Sequence, residues 1–321
     1  MFRQKIFLLS IFILFTPLNG SSWGFYGHRK INYMACFTLP PGLFGFYKEH
    51  IDFLTEHAVD PDKRRYSDKE EAPRHYIDLD HYGLHPFDSV PRFWKAAVEK
   101  YTEDSLKAYG IVPWTINSMM YKLTEAFRER NTDKILYYSA NIGHYIGDAH
   151  VPLHCTENYN GQLTNQTGIH GFWESRLPEI YGSDYDYLTG RAHYVDAVQE
   201  DIWRFVKDSF SALDTVLQFE RSLNEKFPSD RKYAIENRGA TTVKVYSQEY
   251  SAEFHRLLDG QVERRLRAAI LDVGSFWTTA WINAGSPDLL LTKKNQISDS
   301  LRMEIVNETE NKEVISGIRE E

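Results

Sequence analysis

Cysteine is scarce in this chain. Only Cys36 and Cys155 occur among 321 residues, so at most one disulfide can form, and sequence leaves open whether the two meet. A chain of this length can fold without it. Positive charge is short as well: 37 Lys and Arg against 45 Asp and Glu give a net charge of −8. That balance supplies no general basic surface for gripping duplex nucleic acid, so an anionic substrate has to be held locally. Long apolar runs are missing beyond the N-terminus, where Ile6 to Phe15 is too short to cross a bilayer comfortably. There is no His-Glu-x-x-His motif, which argues against a zinc peptidase. Nor is there a Pro/Gly/Ser-rich linker, an internal repeat or a series of short alternating strands.

What is present begins with a leader. Arg3 and Lys5 precede the apolar run, and Pro17-Leu18-Asn19-Gly20-Ser21-Ser22 follows it, the pattern of a secretory signal peptide over residues 1–22. Its removal takes away two cations and moves the net charge to about −10. The expected protein is secreted or periplasmic, soluble, and without a transmembrane segment after cleavage before Trp23. Apolar residues recur at helical spacing over 24–37, 42–57, 91–109, 114–130, 133–150, 171–181, 191–226 and 243–283, which predicts an all-α fold. Prolines punctuate the stretch 57–90, read as a long loop of functional interest. One domain is expected over residues 23–286. Residues 287–321, with Lys293-Lys294 and then Glu308, Glu310, Glu313 and Glu320-Glu321, read as a charged, solvated tail.

The segment from Gly143 to His154, followed by His170-Gly171-Phe172-Trp173-Glu174, carries the chemistry. On a helix, His144 and Asp148 share a face one turn apart, and so do His170 and Glu174. With His154 they offer more donors than one ion needs. Imidazole and carboxylate suit zinc, and a cysteine-free donor set fits an open site for water or substrate, which points to hydrolysis. Of the aromatic residues, Trp203, Phe205, Trp277 and Trp281 recur at helical spacing and read as core, while Trp173 and Tyr159 flank the donors and are expected to line a pocket. His50, His57, His85, His193 and His255 read as surface or core histidines, with His81 and His150 intermediate.

The run His144-xxx-Asp148, His154, His170-xxx-Glu174 resembles the superfamily that joins zinc-dependent phospholipase C to the secreted single-strand zinc nucleases. Trp23-Gly24-Phe25-Tyr26-Gly27-His28 matches that pattern at the expected mature N-terminus, and Asp60, fifteen residues before His75, matches it again. The resemblance runs from Trp23 to Glu174. It implies a multi-helix domain with a trinuclear zinc site between helices. One zinc would take Asp60, His75, His144 and Asp148; a second His154, His170 and Glu174; a third His28, Asp148 and the amino and carbonyl groups of Trp23. Asp148 would bridge. Three divalent ions would make a positive pocket in an acidic protein and bind the phosphate in place of lysines. It further implies phosphodiester hydrolysis by metal-activated water, with Asp60 orienting or deprotonating that water and Lys63 or Arg64 contacting the phosphate; the nucleases tend to carry an arginine three residues after this aspartate. In the nuclease branch a histidine also stands two residues after the bridging aspartate, which makes His150 structural. Glu174 resembles the phospholipases, the Trp23 and Asp148 motifs the nucleases, and the polar stretch Tyr159 to Gly168 differs from the nucleases' glycine-rich base-binding segment. On that last ground the expected activity leans toward a phospholipase C-like phosphodiesterase, with a single-strand nuclease as the alternative and a non-catalytic zinc-binding protein third. No stable protein partner is expected.

Overall fold

Fourteen of the eighteen residues of helix Thr132–Ala149 are buried, which makes it the axis on which the other helices pack. Its start is fixed by Asn131, whose side-chain oxygen accepts the Lys134 backbone N–H at 3.1 Å and satisfies one of the amides a helix start leaves unpaired. Helices Gly24–Ala35, Val112–Arg128 and Gln261–Asn283 lie against it. The computed structural model describes residues 24–238 and 241–289.

Two glycines set how closely the first helix approaches. A Cβ at Gly143 would stand 2.0 Å from Asn32 Oδ1, and one at Gly147 would stand 3.1 Å from His28 Nδ1. The Asn32 amide is clamped on the other side, donating to Leu54 O at 3.1 Å and Ala140 O at 3.2 Å, so it cannot yield easily. Close contact here is what lets His28 reach the helix carrying His144 and Asp148. Gly143→Ala is therefore expected to lower stability by about 1–3 kcal/mol through overpacking. Denaturant unfolding measures it; wild-type stability in the variant would mean that another contact sets this helix spacing.

The helical periodicity is borne out as a fold class but its long segments are broken. The expected helix 42–57 divides at His50, 91–109 divides at Thr102 (φ 66°), and 243–283 divides at Asp259 and Gly260 (φ 47° and 71°). Left-handed residues cannot continue an α-helix. Residues 191–197 are not helical; they run along the last helix, where Val195 N–H donates to Thr279 Oγ1 at 2.9 Å. Among the described residues the sheet content is one antiparallel pair of strands, Tyr233–Arg238 with Thr241–Tyr246, in register Tyr233 to Tyr246. Residues 57–90 are connected short helical turns rather than open loop. Among the described residues no helix is long and apolar enough to cross a membrane. Cys36 and Cys155 are both buried free thiols; burial pushes the Cys36 thiol up to about 12. The leader, Trp23 and the tail beyond residue 289 lie outside the described residues.

His150 is a packing residue. Its Nδ1–H donates to Ile146 O at 2.8 Å, Nε2 meets Asp272 Oδ2 at 3.0 Å, and its ring stacks on Phe205, tying this helix end to helices Val198–Lys226 and Gln261–Asn283.

Candidate metal centre

Three groups of donors close on one another in the interior, each with ligand atoms within 4.8 Å: His28, His144 and Asp148; Asp62, His75 and His144; His154, His170 and Glu174. Helix Thr132–Ala149 supplies His144 and Asp148 one turn apart, with His144 Nε2 at 3.2 Å from Asp148 Oδ2. The first helix brings His28, its ring stacked on His144 at 3.9 Å between centroids and its Nε2 at 3.4 Å from Asp148 Oδ1. His75, at the end of the short turn Ala72–His75, places Nδ1 at 3.0 Å from Asp148 Oδ2. In the third group His170 and Glu174 lie one turn apart at 3.0 Å, and His154 Nε2 is 3.5 Å from the same carboxylate oxygen. A π-helical stretch, Phe172–Arg176, carries Glu174, a form of local winding that recurs at functional sites.

Backbone carbonyls orient two of the imidazoles. His144 Nδ1 lies 2.8 Å from Ala58 O and His154 Nδ1 lies 2.6 Å from His75 O; a carbonyl only accepts, so each Nδ1 carries the proton and each Nε2 is left with its lone pair toward the cluster. Burial lowers the pKa of His28 and of His144, toward the neutral form that metal coordination requires. Asp148 is held well below the usual carboxylate range: burial opposes ionisation, and His144 and His154 outweigh it. His75 is also buried, yet Asp148 and Glu71 raise it to about 9, and burial raises Asp62 to about 7.

These donors fit a metal. Both nitrogens of His28 and of His170, and both oxygens of Asp62 and of Glu174, are buried without a hydrogen bond of proper geometry. So many unsatisfied groups in one place are costly in an apolar interior, and a divalent cation would use their lone pairs together.

Of the expected site residues, the structure brings together His28, His75, His144, Asp148, His154, His170 and Glu174. It does not bring Asp60. That carboxylate is taken by His57 Nδ1 at 2.5 Å and Lys63 Nζ at 2.9 Å, while Asp62 occupies the position expected of it, with Oδ1 at 3.6 Å from His144 Nε2 and 3.8 Å from His75 Nδ1. Lys63 and Arg64 are corrected too. Lys63 pairs with Asp60, and buried Arg64 bonds to Glu71, Asn141 and Tyr145 rather than facing a phosphate. Arg65 stands three residues after Asp62, 3.8 Å from its carboxylate, at the arginine spacing of the nuclease pattern. Glu71 joins the site from outside the expected set, signalled in sequence by Glu71-xxx-His75, which repeats the one-turn spacing of the other pairs; its carboxylate lies 3.5 Å from His75 Nε2. Trp173 does not line a pocket: it is fully buried and its indole donates to Gln261 Oε1 at 3.1 Å. Tyr159 does sit by the cluster, its ring 5.8 Å from that of His170.

The family model of the S1/P1 nucleases matches residues 23–271, a span enclosing all three donor groups. The chain belongs to the S1/P1 nuclease family. As an S1/P1 nuclease family member it is a phosphoric ester hydrolase, of the all-helical type expected. Among solved structures it is similar to the alpha toxin of Clostridium absonum, at 11% identity and a TM-score of 0.43 over 87% of this chain and 67% of that one. It is also similar to the alpha-toxin of Clostridium perfringens from avian strain SWCP, at 15% identity and a TM-score of 0.47 over 85% and 66%. The chain thus spans about two thirds of the length of each. No curated protein matches it.

Proposed function

We propose that this S1/P1 family member is a secreted, zinc-dependent nuclease that cleaves single-stranded nucleic acid. The observation that carries the reading is the family match across residues 23–271, which reverses the order of preference expected from the sequence alone. The proposed ligands are Asp62, His75, His144 and Asp148 for one zinc; His154, His170 and Glu174 for a second; and His28, Asp148 and the freed N-terminus at Trp23 for a third. Gly24 supports that last assignment, because its backbone lies against Ser175, the neighbour of Glu174, so the chain enters beside the cluster.

Zinc bound here would acidify the attacking water and offset the charge that builds on the phosphoryl oxygens. The protein's own part is orientation and exclusion of water. His144 and His154 are aimed by their carbonyl partners, and the buried walls keep the local dielectric low, which strengthens every charge interaction with a phosphate. Next to His170, Tyr159 offers a ring on which a base can stack. The loop that follows is stiffened by its own hydrogen bonds: Asn158 accepts from Leu163 N–H at 2.8 Å and donates to Thr164 Oγ1 at 3.0 Å, and Gly168 N–H donates to Asn160 Oδ1 at 2.9 Å. A loop held this way shapes the pocket beside the third donor group.

Glu174, which resembles the phospholipases at this position, keeps phosphatidylcholine as the competing substrate. Purified protein assayed on single-stranded DNA, RNA and phosphatidylcholine, with and without chelator, is expected to release nucleotides in a chelator-sensitive way and to leave the lipid intact. Lipid turnover without nucleotide release would reverse the proposal.

A further inference from the structure

The outer face of the first helix carries a feature the metal centre does not use. His28, Ile31, Asn32 and Ala35 occupy its inner face, and the opposite stripe of Phe25, Arg29, Tyr33 and Phe37 repeats every four residues, one side of the helix continued into the following turn. Its rings stand in solvent, Phe25 38%, Tyr33 39% and Phe37 47% exposed. Beside them is a cavity of about 400 Å³ lined by Tyr26, Arg29, Lys30, Tyr33 and Thr55. Its cations lie over rings: Arg29 is 5.7 Å from the centre of Phe25, and Lys30 is 5.6 Å from that of Tyr26 and 5.0 Å from that of Tyr187. Among the described residues neither cation pairs with a carboxylate, in a chain whose net charge is −8.

Both walls of the cavity are built on segments that lead in sequence to the donor groups. Its helix begins against Ser175, beside Glu174, and Tyr26 is two residues on. Its far wall, Thr55, belongs to helix Ile51–Glu56, which leads through His57–Val59 to the carbonyl of Ala58 that orients His144 and then to Asp62. Cations with no carboxylate partner among the described residues, interleaved with exposed rings, are what a single strand needs, phosphates meeting the charges and splayed bases stacking on the rings; a duplex hides its base faces. A lipid surface would also accept rings and cations, but the cations here are set in a concavity between two helices rather than displayed on a flat face.

We propose that this groove is a track for single-stranded nucleic acid, holding the strand as it enters or leaves the metal centre. The inference rests on the nuclease reading. The test uses the full chain loaded with zinc and a fluorescent, phosphorothioate-linked single strand of ~20 nucleotides, with binding read by anisotropy across a salt series and folding checked by circular dichroism. Arg29→Gln with Lys30→Gln is expected to weaken binding roughly tenfold and to reduce the slope of log K against log salt by about 1.4, two phosphate contacts at about 0.7 each. Tyr33→Ala is expected to weaken it roughly fivefold or more without changing that slope, since stacking carries no charge. Folded variants with wild-type affinity and slope, alongside a wild type that cleaves the same strand with ordinary phosphodiester links, would overturn the track and leave the nuclease standing. A wild type that neither binds the probe nor cleaves its unmodified counterpart but hydrolyses phosphatidylcholine vesicles would overturn both.

Discussion

Asp62→Asn is expected to lower kcat/KM on single-stranded DNA by a hundredfold or more and to reduce zinc content, whereas Asp60→Asn leaves both close to wild type. The two aspartates sit on one short helix, Asp60–Arg64, separated only by Pro61. Two residues along a helix turn through about 200°, so the pair cannot face the same way. The structure turns Asp62 inward, 3% exposed, with both oxygens lacking a hydrogen bond and one of them 3.6 Å from His144 Nε2. Asp60 points to the rim, where His57 and Lys63 take both of its oxygens. Those partners are partly exposed, so losing the pair costs at most about 1 kcal/mol of stability. Removing even an outer partner of a metal ligand typically costs about 10–100-fold, and a ligand itself costs at least that. Steady-state kinetics with elemental analysis of both variants decides between them. An inactive, zinc-depleted Asp60→Asn beside an active Asp62→Asn would return the role to Asp60.

The Asp60 and Asp62 pair marks where sequence stops being informative. Helical spacing identified His144 with Asp148 and His170 with Glu174, because i and i+4 share a face whatever the helix packs against. Between Asp60 and Asp62 no such rule decides. The choice is made by the winding of a five-residue helix inside a stretch that reads as loop, and only the arginine three residues on, Arg65, pointed the other way. Periodicity also could not foresee breaks caused by single left-handed residues such as Thr102 and Asp259, nor the two paired strands at 233–246, which sit among helical patterns. Trp173 departs from expectation for a related reason: being adjacent in sequence to a ligand places a side chain one step around the helix, here into the core against Gln261. The donor pairs legible from spacing alone are those fixed by local geometry, and His28, His75 and His154 rest on the family resemblance. The choice of Asp62 over Asp60 needed the fold.

Stripping the metal is expected to abolish activity and to lower the thermal midpoint by about 10 °C, with both restored by adding zinc. The second effect follows from what the interior contains. Five imidazoles and the carboxylates of Asp62, Asp148 and Glu174 are buried together, and Asp148 alone lies within 4 Å of His28, His75, His144 and His154. Without a cation these groups must share protons to limit mutual repulsion and desolvation, as the opposing shifts of His75 (raised to about 9) and His144 (lowered) indicate. A metal that binds only the folded chain adds RT ln(1 + [L]/Kd) to stability, about 4 kcal/mol at a thousandfold excess over Kd. For a domain of this size each kcal/mol moves the midpoint by about 2–4 °C, which gives the expected shift. Calorimetry of the zinc-loaded and chelator-dialysed protein measures it, and Asp148→Asn supplies the internal control. Because Asp148 contacts both histidine groups flanking it, that variant should lose most activity and respond to zinc by a smaller midpoint shift than wild type. Equal shifts in the two proteins would mean that zinc stabilises the chain from somewhere other than this cluster, and the assignment of Asp148 as the bridge would fall with it.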